Sequence, residues 1–236
     1  MKLGRKKATE TLSAFYPSGE FETWYECAAY LPHAQAVIQQ LSKFVTDQKI
    51  GLSLSSKVVR YLWYQGRWTE AEAEELEVRT MKTRKRELGL GHPNTLDSMA
   101  NLAIIYTDQG RWTDAEELQV KGMQTTERMM GLEHPKTLTS MSNLASIYWN
   151  QGRWIEAEEL EVKVIETRKR MLGLEHPNTL TSMSNLAYTY WDQGRWIESE
   201  ELEVKVMKTR KRVLGLEHPN TLTSMSNLAY TYRNQG

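Results

Sequence analysis

Residues 134–175 read HPKTLTSMSNLASIYWNQGRWIEAEELEVKVIETRKRMLGLE, and residues 176–217 read HPNTLTSMSNLAYTYWDQGRWIESEELEVKVMKTRKRVLGLE. The two blocks differ at eight of 42 positions: Lys136/Asn178, Ser146/Tyr188, Ile147/Thr189, Asn150/Asp192, Ala157/Ser199, Ile165/Met207, Glu166/Lys208 and Met171/Val213. Working outward, His-Pro recurs at His92, His134, His176 and His218, each 42 residues after the last. Gln-Gly-Arg-Trp recurs around Gly66, Gly110, Gly152 and Gly194; the first interval is 44, with the two extra residues inside 71–74. A fixed period of about 20 to 50 residues marks a solenoid, a propeller or an array.

Each block predicts two helices. Leu180, Met183, Leu186, Ala187 and Tyr190 fall on one face at helical spacing. Pro177 suits the first turn, where its missing N–H removes no bond, and Gly194 stops the helix. The second helix is expected to turn Trp196, Ser199, Leu202, Val206, Thr209 and Val213 inward. Its outer face is expected to carry Glu200, Glu201 and Glu203 early and Lys208, Arg210, Lys211 and Arg212 late, the order a helix dipole favours. Leu214-Gly215-Leu216 ends it, with Gly215 expected as a left-handed cap. Strand-type alternation is absent, which excludes a propeller and leaves an all-α solenoid of antiparallel helix pairs.

The repeat has a family resemblance. Tetratricopeptide repeats carry Trp-x2-Leu-Gly-x2-Tyr and later Ala-x3-Phe, and the block at 134–175 resembles them at Met141, Leu144, Ala145, Tyr148, Ala157 and Glu161. Methionine stands for the first aromatic, and Gln119, Glu161 and Glu203 stand where the later aromatic belongs. The period also exceeds the usual length of about 34. Asn-Leu-Ala-x-x-Tyr-x-x-Gln-Gly-Arg-Trp behind an opening His-Pro resembles the longer repeats of kinesin light chains, over residues 66–236. The array is also similar to the C-terminal repeats of fungal NLR-like receptors, and 15–24 followed by Leu31-Pro32-His33-Ala34 resembles their lead-in. The resemblance implies a right-handed superhelix whose first helices line a concave groove. It implies a non-catalytic scaffold that binds a peptide or protein segment there. The alternative is an oligomerisation or autoinhibitory sensor surface of a larger NLR-like receptor, with nucleotide chemistry in another domain.

Composition narrows the classes. Among 236 residues, 30 Lys plus Arg balance 30 Asp plus Glu, so the basic surplus of a general nucleic-acid or anionic-membrane binder is missing. One cysteine, Cys27, precludes an internal disulfide and fits a reducing, cytoplasmic setting. No apolar run approaches the roughly 18 residues of a membrane span, and polar residues follow the basic start where a signal peptide is apolar. Three Phe against eight Trp and eleven Tyr fit a short segment copied several times. Residues 1–22 are expected to form a polar tail with a turn at Pro17-Ser18-Gly19. Residues 23–65 are read as degenerate capping helices, the first from Trp24 to about Phe44 and bent at Pro32, with a loop at 47–51. Residues 66–236 hold the repeats, the last lacking its second helix, and an exposed apolar stripe there is expected to favour self-association.

Other motifs have plainer readings. The four periodic histidines lie a helix pair apart, too far to share an ion bound at about 2 Å, so each is read as a cap before proline and no metal is expected. Residues 131–137 end Lys-Thr but lack the glycine before the lysine and the preceding strand of a phosphate loop. No cofactor is expected, and no nucleophile–base constellation recurs, so no enzyme is expected. Arg84-Lys85-Arg86, Arg168-Lys169-Arg170 and Arg210-Lys211-Arg212 are read as solvated helix ends; nucleic-acid binding through these turns is the alternative of another class.

The candidate groove residues lie on the polar face of the first helices. Trp68, Trp112, Trp154 and Trp196 start second helices and are expected to pack. Trp149 and Trp191 sit on the polar face instead, as candidate binding residues. They join Ser142, Ser184, Tyr188, Asn150 and Asp192, and a ladder of Asn101, Asn143, Asn185 and Asn227 just before each Leu-Ala. Asparagine is disfavoured within helices, but its amide suits the backbone of an extended peptide. The family resemblance implies that clamping role, and a hydrogen bond that fixes the pitch of the array is the competing reading.

Overall fold

Each His-Pro opens a helix. The computed structural model describes Thr11 and residues 24–41, 57–58 and 70–235. Among them the helices are α1 Trp24–Leu41, α2 Glu70–Leu88, α3 Pro93–Asp108, α4 Trp112–Met130, α5 Pro135–Asn150, α6 Trp154–Leu172, α7 Pro177–Asp192, α8 Trp196–Leu214 and α9 Pro219–Gln235. The described residues contain no strand. The expected polar tail and its turn, the loop at 47–51, and the first Gln-Gly-Arg-Trp with Trp68 lie outside the described residues.

The chain divides into two compact units, Met1–Ile105 and Tyr106–Gly236. In the first, α1 continues through Pro32 and buries Cys27 and Ala34. Helix α2 runs unbroken through 71–74, so the two extra residues are absorbed as helix.

Helix ends follow local chemistry. The His176 Nδ1 accepts the Asn178 N–H at 3.1 Å ahead of Pro177 in the first turn. His92, His134 and His218 cap their helices in the same way. Such a cap satisfies one of the N–H groups a helix start leaves unpaired. At the far end of α8, Gly215 adopts φ 92, ψ 168. That is the positive-φ, extended-ψ region, essentially reserved for glycine, and not the left-handed helical cap expected.

In the second unit, successive helices pack on one another, and short connections such as 151–153 make each pair antiparallel. Leu180, Met183 and Leu186 of α7 meet Ile165 of α6 and Val206 of α8. Leu138 and Met141 of α5 meet Val164 of α6. Neighbouring residues of α6 thus serve its own repeat and the next, the nearest-neighbour construction of a solenoid.

The inward stripe of the second helices agrees with the expected one at Ser199 and Val206 and departs from it elsewhere. In α8 the buried residues are Ser199, Glu203, Val206 and Arg210. Trp112, Trp154 and Trp196, expected to pack, are 41%, 37% and 52% exposed, and Val213 is exposed as well. Trp196 and Val213 lie in terminal turns of α8, where less of the flanking helices remains to cover them. Among the described residues, no helix is long and apolar enough to cross a membrane.

Candidate functional site

At Gly152 and Gly194 the Gln-Gly-Arg-Trp turn ties its repeat to the one before it. The Arg195 guanidinium lies 3.9 Å over the Tyr190 ring and donates to Glu158 at 2.8 Å and Glu198 at 2.9 Å. The Gln193 amide donates to the second Glu158 oxygen at 2.9 Å. One repeat earlier, Arg153, Tyr148, Gln151 and Glu116 repeat the pattern. Ion pairs this exposed contribute little singly, but together they fix how one repeat sits on the next.

A second periodic set is buried, against expectation. Glu77, Glu161 and Glu203 are covered, as are Arg84, Arg168 and Arg210, each seven residues further along the same helix. The Arg168 Nη1 donates to Ser182 Oγ at 2.5 Å and to the Asn178 carbonyl at 3.2 Å. Arg84 reaches Ser98 and Asn94, and Arg210 reaches Ser224 and Asn220. The outer-face placing of Glu203 and Arg210, and the solvated reading of the first arginine in each triplet, are therefore corrected. These side chains point at the following first helix, which supplies the acceptors. Of the remaining cations, Arg170 pairs with Glu133 and Arg212 with Glu175. The second repeat has Gln119 and Thr126 at these two positions, so glutamate and arginine are lost together.

Burial sets the charge state of this set. Desolvation lowers the Arg168 guanidinium and raises the Glu77 and Glu203 carboxyls. Glu161, only 1% exposed, is pushed up to about 7 by desolvation, with Asn185 and Arg168 opposing.

A cavity of about 280 Å³ opens between α5 and α7. Trp149 and Tyr188 wall it, Ala145 and Ser146 contribute from α5, Asn185 and Thr189 from α7, and Glu161 of α6 completes the lining. The Asn185 amide donates to Glu161 Oε1 at 3.5 Å, while Glu161 Oε2 has no hydrogen-bond partner. The Trp149 indole is held by its Nε1, which donates to Asp192 Oδ2 at 2.6 Å.

Four of the groove candidates, Trp149, Asn185, Tyr188 and Asp192, therefore come together at or beside this cavity. Asn227 lies beside the Tyr188 hydroxyl, Asn143 is half-buried on α5 and Asn101 is exposed on α3. Asn150 donates to the Ser146 carbonyl and Ser184 to the Leu180 carbonyl, whereas the buried Ser142 hydroxyl has no partner. Trp191 is drawn away into an aromatic cluster, 6.2 Å from Trp196 and 5.9 Å from Tyr230 between ring centres. Ser146 shares the polar-face position of Tyr188, whereas Thr189 and Glu161 carry no groove signal in that pattern. The one available hint is Glu161 standing at an aromatic position of the repeat pattern. Among the described residues, no three His, Cys, Asp or Glu are placed to hold a metal ion.

Stacked helix pairs, repeated seams and a surface cavity between first helices define a helical-repeat solenoid. The chain belongs to the tetratricopeptide repeat family, which matches at residues 56–94, 95–136, 137–178 and 179–220. Members of this family generally mediate protein–protein interaction and are generally non-catalytic. The nearly identical TPR-like repeats of a protein from Podosopora anserina, described as a putative kinesin light chain, superpose with a TM-score of 0.65 at 31% identity, over 78% of this chain and 87% of that one. BtubC from P. vanneervenii shares the fold at a TM-score of 0.67 and 18% identity, over 90% of this chain and 82% of that one. An NLR-like protein of Hyaloscypha variabilis is 40% identical over 93 residues, which is 39% of this chain and 9% of that protein.

Proposed function

We propose that this chain is a non-catalytic scaffold that binds a peptide or protein segment along its first helices, in the cytoplasm. The observation that carries this reading is the cavity between α5 and α7, walled by the exposed aromatics Trp149 and Tyr188. Aromatic side chains flanked by amides are the usual anchors of a peptide groove, and a preformed helical surface lowers the ordering cost of binding. In this reading Asn101, Asn143, Asn185 and Asn227, with Ser142 and Ser184, clamp ligand backbone. Trp149, Tyr188, Asn150 and Asp192 select side chains, and Trp191 contributes only through its aromatic cluster with Trp196 and Tyr230.

Selection of a displayed random-peptide library on the whole chain tests this. Bound peptides are expected to weaken by about 1–3 kcal/mol on Asn143→Ala substitution, with melting unchanged or slightly raised. Failure to retain any peptide, or normal binding by an Asn143→Ala variant that melts several degrees lower, refutes the clamp.

A second reading is supported by the NLR-like relative: the repeats act as a sensor or oligomerisation surface within a larger receptor. Such a surface is expected to appear as concentration-dependent sedimentation of the whole chain; strictly monomeric sedimentation at high concentration refutes it.

A further inference from the structure

The cavity between α5 and α7 exists because two consecutive seams differ. Position 146 is serine, and its counterpart one repeat later is Tyr188, whose hydroxyl lies beside Asn227 at the next seam. The bulk that fills that seam is absent from this one. The floor differs as well. Glu203 Oε2 accepts the Thr231 hydroxyl at 2.7 Å. The corresponding Thr189 donates instead to the Asn185 carbonyl of its own helix, at 3.3 Å. Glu161 is thus a buried carboxylate with one oxygen lacking a partner, in the lining of an open cavity. The nearby Arg168 guanidinium is already engaged by Ser182 and the Asn178 carbonyl. Among the described residues, no basic side chain lines the cavity.

We propose that this cavity takes a lysine side chain of the bound peptide, its ammonium on Glu161 Oε2 and its alkyl stem between Trp149 and Tyr188. The site refines the peptide-groove reading and rests on it. The volume falls just below the range of about 300–1,000 Å³ typical of small-molecule pockets, which suits one side chain. Trp and Tyr faces attract a cation and cover its apolar stem. The donor geometry separates the two basic residues. Arginine pairs best with both oxygens of a carboxylate, whereas an ammonium acts as a point charge. Asn185 holds Oε1 here, so one oxygen remains, and that favours lysine. The clamp of Trp149 by Asp192 keeps the indole in place and adds negative charge behind it.

The test uses the whole chain and three end-capped pentapeptides, Gly-Gly-X-Gly-Gly, in which X is lysine, arginine or norleucine. Binding is read from the Trp149 indole N–H resonance. The lysine peptide is expected to shift it saturably and to bind at least tenfold more tightly than the norleucine peptide, with arginine between them. Glu161→Gln, which places in this repeat the residue found at Gln119, is expected to weaken lysine binding about tenfold or more. Ser146→Tyr, which copies Tyr188, is expected to close the cavity and abolish the shift while the chain stays folded by circular dichroism. Equal binding of lysine and norleucine peptides, tighter binding of arginine, or an undiminished shift in Ser146→Tyr overturns the assignment. Library peptides that bind but lack lysine and ignore Ser146→Tyr sink the lysine site and leave the groove reading standing. If the library retains nothing while the lysine pentapeptide still shifts Trp149, the extended groove falls and the cavity survives.

Discussion

At the scale of single residues, Glu161 links the fold to pH. Its carboxyl is held at about 7 against an ordinary 4.5, so the folded chain binds more protons than the unfolded one between those values. Stability from this group is complete below about pH 4.5 and is lost as pH rises through 7. Glu77 and Glu203 are raised in the same direction. Glu161→Gln is therefore expected to remove one carboxyl's share of the slope and to raise the melting temperature at pH 8, measured by calorimetry at pH 5 and 8; an unaltered slope contradicts this. A different residue-scale effect belongs to Gly173, at φ 89, ψ 164. A Cβ added there meets no atom within 4 Å, so Gly173→Ala is expected to cost about 1–3 kcal/mol in urea denaturation through backbone strain alone. A cost below a few tenths would show that the turn relaxes. Neither the glycine geometry nor the burial of Glu161 was legible in the sequence. Charged residues are by default outside, and only Glu161's place at an aromatic position of the repeat pattern pointed inward.

At the scale of helices, existence and boundaries were legible because Pro177, Gly194 and the 3.6-residue period all act within a few residues of one another. The inward face of the second helices was legible only in part. Ser199 and Val206 were placed inward, but Glu203 and Arg210 read as polar surface, yet α9 supplies Ser224, the Asn220 carbonyl and Thr231 to receive the arginine and the glutamate. Those partners lie 10 to 28 residues away, beyond any local pattern. The Glu161–Arg168 arrangement on α6 predicts a coupling. Arg168→Thr, which copies the residue at Thr126, strands a buried carboxylate, and is expected to destabilise less when Glu161→Gln is already present. The difference is expected to be about 0.5–3 kcal/mol at pH 8 and to vanish at pH 5, where Glu161 is protonated in either background. Strict additivity at pH 8, in a four-way denaturation cycle, contradicts the coupling.

At the scale of the whole molecule, the array was the most legible feature, because a 42-residue period states its own architecture. The cavity was legible only in part. Trp149, Asn185 and Tyr188 lie on a recognisable polar face, but the space depends on Ser146 being small at one seam where Tyr188 is large at the next, a difference in volume rather than in pattern. Nearest-neighbour packing also distributes stability. Leu186→Ala, at the centre of the cluster shared by α6, α7 and α8, is expected to cost roughly 2–5 kcal/mol. Hydrogen exchange is expected to accelerate first in those three helices and least in α4; uniform acceleration from α4 to α9 indicates a single cooperative block. The serines at 98, 140, 182 and 224 give the same construction a genetic meaning. The second helices that carry arginine, α2, α6 and α8, each meet this serine in the helix that follows, and α4, which carries threonine, is followed by the same serine at 140. Recombination between copies is therefore expected to keep this acceptor in place wherever an arginine arrives. The residues at 146 and 188 then travel with their copies, and unequal crossover reshuffles the ligand surface one pocket at a time.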